Sequence, residues 1–434
     1  MRNGGTPESW KIIPLDPQPV TVHASPDPEG VFQGNPSLLA LSSGRLLAAL
    51  HLHGPGLAKQ PGVKGRHYPF NHLLLGKIYS SNDKGATWQH RADFPFGFAR
   101  LFRDGESVFA LGHKGNLQIV KSQDGGNLWG KPESLTAEDD AGGFFVQGPG
   151  QVLAHQGYFY TAFMKTRPSP FKGWPGSILT PVVMRAKTGT NLLSPKSWTF
   201  SGPEKTFSEW FPESAYPGFG IPFFATPSAD HADPVGGGRF ANRIGWEDAH
   251  VIPMPPPPHQ WHDPNALLLV CRTGVHRSNL AAVLKIRIVA DGPPVLEPLS
   301  APSGVPLSLL PWPGGNQKFD VVFDEPSGLF WTVGNRMTNT LNLPARLHAR
   351  WWGLPHEEAS GLQVQFSKNL VDWSMAGLLE QPSWPGPFRT ACALAIKGND
   401  LHVVCRGGDE TCKKLPSTNL VISYHVPEFR SLAY

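Results

Sequence analysis

The sequence predicts an all-β chain folded as a six-bladed β-propeller, with seven blades as the alternative. Three observations carry this: a composition crowded with turn formers, an octapeptide repeated at blade spacing, and apolar runs that group into hairpin pairs. The chain has 434 residues, with 47 glycines and 45 prolines, and only 17% of its residues are charged. So many turn residues leave room for short strands and little for long helices. The octapeptide occurs as Ser81-Asn-Asp83-Lys-Gly85-Ala-Thr87-Trp88 and again as Ser122-Gln-Asp124-Gly-Gly126-Asn-Leu-Trp129, both reading S-x-D-x-G-x-x-W. The two aspartates lie 41 residues apart, the period of a four-stranded propeller blade. In a hairpin turn the Asp accepts backbone N–H groups, the Gly supplies a positive φ, and the Trp is left to pack on a neighbouring sheet. A worn third copy runs Ser367-Lys-Asn369-Leu-Val-Asp372-Trp373, with Asp replaced and one residue missing.

Between these marks, apolar or alternating runs broken by turns occupy Ser37 to His53, Ser107 to Ser122, Gln151 to Met164, Ala266 to Arg272, Phe319 to Val333 and Leu401 to Arg406. They fall into six hairpin groups at 31–95, 98–138, 144–205, 243–300, 314–380 and 386–428. The last group lacks an outer strand, which Trp10 to Val22 is expected to supply by joining the two chain ends, so that the ring closes with no exposed edge. Pro168 to Gly176 and Pro253 to Pro258 read as rim loops rather than linkers, and the whole chain, 1–434, is expected to be one domain.

The net charge of +4 is spread over 38 basic and 34 acidic residues with no basic run or arm, which argues against nucleic acid as a partner. No stretch reaches the roughly 18 apolar residues that cross a bilayer, and Met1 to Gln18 has no apolar core of a secretory signal. A soluble chain without a membrane partner is expected, with no indication of compartment or oligomeric state. Cys271, Cys392, Cys405 and Cys412 are spaced too irregularly for a disulfide framework or a zinc pattern. They read as buried thiols, with a Cys405 to Cys412 bridge as the alternative. No phosphate loop, serine elbow or metal signature is found, and no cofactor or metal is expected. His259, His262 and Asp263 read as a polar loop rather than a metal site.

The octapeptides resemble the Asp boxes, or BNR repeats, of the sialidase superfamily, and the resemblance extends more faintly over most of the chain. It implies the propeller fold and, for a working sialidase, three arginines around the substrate carboxylate and a tyrosine nucleophile. The first arginine is missing, since its place reads Gly34-Asn35-Pro36-Ser37-Leu38-Leu39. Glu247 and Arg272 resemble the glutamate and second arginine. The third is matched to Arg346 or Arg350, of which Arg350 is kept as a substrate-binding candidate. The tyrosine's place reads Phe388-Arg389-Thr390-Ala391, and no tyrosine lies between Tyr216 and Tyr424. Sialic acid hydrolysis through a tyrosine is therefore not expected. Gly34 to Ser37, Leu46 to Gly56, Asn191 to Trp198, Gly314 to Phe319 and Asn419 to Arg430 are similar to segments of sialidase-like propellers that act beside a uronic acid and use histidine. That resemblance implies an exo-acting glycosidase or lyase on an acidic glycan. A propeller that binds a glycan or a protein without catalysis is the alternative.

In a propeller, polar residues just after apolar runs converge on the channel mouth. His51 and His53 end such a run and point the same way on a strand, and with Glu247 they are the candidate catalysts. Arg272 and Arg406 each end an apolar strand, and a guanidinium fork suits a carboxylate. With Lys318, Arg350 and Asn419 they make up the substrate-binding candidates. Ion pairs of the arginines with Glu247 or Asp409 are the competing reading. Glu213 and Asp248 are further carboxylates for a hydrolase, Asn335 and Arg336 are weaker candidates, and His113 and His250 read as loop residues.

Overall fold

A computed structural model describes residues 12–138, 143–148, 150–166, 176–212, 233–236, 239–241, 244–273, 279–335, 358–381, 388–412 and 417–434. The candidates Glu213, Arg336, Arg346 and Arg350 lie outside the described residues, as does most of the loop Pro168 to Gly176. The described chain is almost wholly β, its one α-helix being the single turn Phe207–Trp210 under a Thr206/Glu209 capping box.

Six antiparallel sheets follow one another in chain order, each running outward from an innermost strand. Blade 1 is built from Ser37–Ala40, Leu46–His53, Leu73–Ser81 and Gln89–Phe94, with Phe32–Gln33 continuing its innermost edge. Blade 2 holds Gly97–Asp104, Ser107–His113, Leu117–Ser122 and Glu133–Ser134. In blade 3 the innermost edge is shared by Phe144–Val146 and Leu153–His155, followed by Tyr158–Thr166, Thr180–Lys187 and Trp198–Phe200. Blade 4 runs Glu247–Pro253, Ala266–Arg272, Leu280–Arg287 and Val295–Glu297, and blade 5 runs Asp320–Asp324, Leu329–Asn335, Leu362–Ser367 and Trp373–Glu380. Blade 6 supplies Arg389–Lys397, Asp400–Gly407 and Leu420–Val426 from the C-terminal end of the chain, and its fourth strand is Val20–Ala24.

The ring thus closes by joining the chain ends as the sequence predicts, but with a later strand. The expected Trp10 to Val22 is replaced by Val20–Ala24, paired Val20 to Ser423 through Ala24 to Leu420. Pro14, Pro17 and Pro19 lack the N–H that a ladder needs, so pairing begins only after the last of them.

Six apolar clusters fill the wedges, each drawn from two consecutive blades. Phe102 and Phe109 of blade 2 pack with Phe145 and Phe163 of blade 3, and Val22 of the closing strand joins Leu46 and Val404 across the seam. Six interfaces in a closed ring require six blades, which removes the seven-bladed alternative.

The octapeptides sit on the hairpins between third and fourth strands. Ser81 Oγ donates to Asp83 Oδ1 at 2.7 Å, Gly85 N donates to Ser81 Oγ at 2.9 Å, and Thr87 N donates to Asp83 Oδ1 at 2.9 Å. Trp88 Nε1 donates back to Gly85 O at 3.1 Å. Ser122, Asp124, Gly126 and Trp129 repeat these bonds. In the worn copy Asn369 Oδ1 accepts from Asp372 N at 2.8 Å, and Leu370 takes the glycine's positive φ of 64°. All four cysteines are free thiols, and Cys271, Cys392 and Cys405 are buried.

Candidate functional site

In every blade the second strand rises to the same rim, here called the upper mouth, and the octapeptide hairpins lie at the opposite end. Second strands therefore deliver the residues at or next to their ends to the upper mouth: His53 in blade 1, His113 in blade 2, Arg272 in blade 4, Asn335 in blade 5 and, one residue before the strand's end, Arg406 in blade 6.

The innermost strands contribute a second set. Their ladders are broken between Gly97 and Arg100, between Glu247 and His250, and between Thr390 and Ala393. At or beside these breaks Phe98, Asp248 and Ala391 have φ of 55°, 44° and 52°, and Gln147 in blade 3 has 64°. A bulge turns a side chain away from the alternation of the strand, and here it aims these residues at the axis. Arg100, Asp248, His250, Ala391 and Cys392 from these strands, with Asn35, Lys318 and Phe319 from just before the innermost strands of blades 1 and 5, line a pocket on the channel floor whose free volume of about 10 Å³ is room for one water.

Blade 4 carries the densest charge. Arg272 lies opposite Glu247 in the ladder, with its Nη2 on Glu247 Oε2 and its Nε 2.8 Å from Asp248 Oδ2. Lys318 Nζ approaches Asp248 Oδ1 at 3.1 Å. Gln147 clamps the pair from blade 3, donating to Glu247 Oε2 at 3.1 Å and accepting from Asp248 N at 2.9 Å. Glu247 Oε1 is buried with no hydrogen-bond partner among the described residues. Burial alone raises the Asp248 carboxyl, but Lys318 and Arg272 outweigh it and hold it at about 2, so Asp248 stays ionised. Burial lowers Lys318 to about 8 against the pull of Asp248.

Arg406 differs from Arg272. Among the described residues no carboxylate pairs with it, and its Nε is buried without a partner. Asp409, the partner that the sequence suggests, accepts instead from Asn419 Nδ2 at 3.0 Å and from Thr411 Oγ1 at 2.7 Å. Burial, with Arg272 nearby, lowers Arg406 to about 10. It remains a cation at neutral pH, with Asp248 acting on it only at a distance and no carboxylate paired to it among the described residues.

The histidines divide. His51 is 2% exposed, accepts Phe98 N on Nδ1 at 3.2 Å and lies 4.3 Å from the Phe98 ring. A Cβ at Gly34 would fall 1.9 Å from its Cε1, so Gly34 is glycine because the imidazole passes over it. His53 is less buried, and burial with Arg406 and His72 beside it holds it at about 4, neutral at pH 7. His67 and His72 stack at 4.9 Å near the same mouth, and His67 meets His113 at 5.4 Å. His113 and His250 are strand residues and not loop residues, because the bulged ladders continue through both ends. His113 Nε2 meets Gln147 O at 2.8 Å, and His250 Nδ1 faces Asp320 at 3.4 Å.

The structure thus gathers His53, Glu247, Arg272, Lys318 and Arg406 around one mouth, with His51 packed beneath. Asn419 is buried and spends its amide on Asp409 and Thr411, and Asn335 holds Gly361 O and Arg389 O. Sequence reasoning missed Gln147, Arg100, His67 and His72. Gln147 follows an apolar run as the chosen candidates do, but that run is only Phe144–Val146. His262 Nδ1 meets Pro255 O at 3.0 Å and Asp263 pairs with Lys285 at 2.9 Å, as a polar loop would.

A larger cavity of about 460 Å³ opens at the lower mouth. Its two buried acids are already held, Asp320 by Gln151 and Leu394 N, Asp324 by Arg430 and Ser327, while Glu325 on its lining is exposed. Charged groups with buried atoms unpartnered among the described residues, Arg406 Nε and Glu247 Oε1, stand at the upper mouth.

No protein-family model and no curated protein sequence matches the chain. Solved structures do. A Hadza microbial sialidase aligns over 94% of this chain and 68% of its own, with a TM-score of 0.53 at 13% identity. A mutant of Trypanosoma rangeli sialidase displaying trans-sialidase activity aligns over 97% of this chain and 59% of its own, at TM-score 0.50 and 11% identity. The GH93 α-L-arabinofuranosidase of Fusarium graminearum, solved with arabinobiose, aligns over 95% and 98%, at TM-score 0.50 and 12% identity. At these identities the likeness is one of fold alone, a six-bladed β-propeller.

Proposed function

We propose that the protein is a carbohydrate-active enzyme, an exo-acting glycosidase whose upper mouth takes the end of an acidic glycan such as a uronate-containing chain. The observation that carries this is Arg406, a cation held at the channel mouth with no carboxylate partner among the described residues. A sugar carboxylate would supply the missing anion through a bidentate pair, with Lys318 alongside. The narrow floor supports exo action, since a blind mouth receives a chain end and not a chain passing through. The fold is shared with glycosidases of known structure, including a sialidase and an arabinofuranosidase, and that likeness supports the general class.

In this reading Arg406 and Lys318 orient the acidic sugar. Glu247 offers its unengaged Oε1 for proton transfer, Asp248 remains the fixed anion of the site, and His53 is a neutral base. Arg272 sets the Glu247 and Asp248 carboxylates side by side. Proton abstraction by His53 beside a neutralised carboxylate would instead give a lyase. Arg350, outside the described residues, stays a candidate for the same substrate carboxylate. No metal or cofactor enters these steps.

A non-catalytic glycan-binding propeller is the second reading, favoured by Ala391 at the bulge where the tyrosine of a sialidase is expected. Incubation with uronate oligosaccharides separates the outcomes. New reducing ends without ultraviolet absorbance mean hydrolysis, absorbance of an unsaturated product means a lyase, and saturable binding without turnover means a binding module. Neither binding nor turnover across acidic oligosaccharides overturns the acidic-glycan proposal.

A further inference from the structure

The seam that closes the ring carries donors that the upper mouth does not use. Asp400 and His402 lie two residues apart on the second strand of blade 6, so their side chains share a face. His425, on the third strand, stands directly opposite His402 in the ladder. The two imidazoles stack at 4.9 Å with 8° between their planes. One ligand atom from each of Asp400, His402 and His425 lies within 4.8 Å of the other two, and no other trio of His, Cys, Asp or Glu among the described residues does so.

A second observation points to a ligand. His402 is 2% exposed, and its Nδ1 is buried without a hydrogen-bond partner. An orphaned imidazole nitrogen costs free energy unless something meets it. His425 Nε2 reaches Asp400 Oδ2 at 3.0 Å. The seat for positive charge is taken by Lys84 Nζ, 2.9 Å from the same oxygen, on a side chain that is 67% exposed and can swing away. Lys84 belongs to the first octapeptide hairpin of blade 1, and His425 N donates to Asp16 Oδ2 at 2.8 Å. Blade 6, blade 1 and the N-terminal segment meet at this point.

We infer that Asp400, His402 and His425 form a binding site for a divalent transition metal of the zinc class, with water completing the coordination, placed where it staples the closing seam of the propeller. Two imidazoles and one carboxylate match zinc, whereas magnesium and calcium favour oxygen donors throughout. The imidazoles rotate out of their stack to converge on the ion, and Lys84 withdraws from Asp400.

The full chain, stripped with chelator, is titrated with zinc chloride by calorimetry and with cobalt(II) by visible absorption. One equivalent of zinc and a cobalt d–d band are expected. His425→Gln and Asp400→Asn, both at partly exposed positions, weaken zinc at least about tenfold, as loss of a ligand must exceed the effect of its outer partners. Lys84→Ala tightens it by removing the rival cation, and His53→Gln at the upper mouth leaves it unchanged. A chain that binds no zinc, or one whose zinc is indifferent to His425→Gln and Asp400→Asn, overturns the inference. Neither result bears on glycan turnover, which is read separately.

Discussion

Replacing Arg406 with methionine distinguishes a charge held for a ligand from a charge held for the fold. Methionine keeps much of the unbranched stem and removes the guanidinium. Burial first, then Arg272, brings Arg406 down to about 10, and the drop from the ordinary guanidinium value corresponds to about 3 kcal/mol against the charged folded state, taken as an upper bound. The sign follows from a cation whose folded pKa is depressed: the penalty is fully present below pH 10 and is relieved as pH rises above it. Arg406→Met should therefore stabilise the free protein by about 1–3 kcal/mol at pH 7, read by urea unfolding. The same change should lower affinity for an oligouronate by roughly 10- to 100-fold, since a hydrogen bond to a charged group contributes about 1.5–3 kcal/mol. A variant destabilised by more than about 1 kcal/mol, with oligouronate affinity intact, would refute the assignment.

Three further outcomes are expected. Lys318, held at about 8 by burial, loses its proton between pH 7 and 9, so oligouronate affinity should fall across that window and become flat in Lys318→Met; calorimetry at three pH values decides it. His53, held at about 4, is a base already at pH 5, so kcat should decline only toward pH 4, and His53→Gln should lower kcat about 10²- to 10⁴-fold with KM nearly unchanged; a profile flat through pH 4 removes His53 as the base. Asp83→Asn should change stability by less than about 0.5 kcal/mol, because Asn369 makes the equivalent backbone bonds in the worn copy, while Asp83→Ala should cost about 1–2 kcal/mol; equal losses in urea unfolding for both would show that the charge itself matters.

The fold was legible because its determinants are local. Ser81, Asp83, Gly85 and Trp88 bond almost entirely within their own octapeptide, so the motif announces the hairpin and its spacing announces the blade. The site was half legible for a related reason. His53, Arg272 and Arg406 lie at or next to the ends of apolar second strands, and that boundary can be read from hydropathy alone. Gln147 and Arg100 could not be found in that way, since Gln147 follows a strand of only three residues and Arg100 sits past a ladder break that leaves no hydropathic trace. The split between His51 and His53 also escaped the sequence: alternation places both on one face, but Phe98 arrives from the next blade to cover only the first. Arg272 and Arg406 looked equivalent because each follows a buried Cys at a strand end. What separates them is the Glu247 and Asp248 pair, which reaches only the former.

The bulges bear directly on what the upper mouth is for. A left-handed φ at Phe98, Gln147, Asp248 and Ala391 is disfavoured for residues with a Cβ, and strain of this kind persists where the surroundings over-determine it. Recurrence in three innermost strands and just past the end of a fourth, always at the upper end, is difficult to attribute to packing, because the lower halves of the same strands fill the wedges between blades without such strain. At Asp248 the gain is visible: the bulge lets adjacent carboxylates, Glu247 and Asp248, face one guanidinium, which strict alternation would send to opposite sides of the sheet. An uncompensated Arg406, a depressed Lys318 and an orphaned Glu247 Oε1 stand around that pair. Each is unfavourable for the free fold, and an anionic ligand bound at the mouth would relieve the first two together.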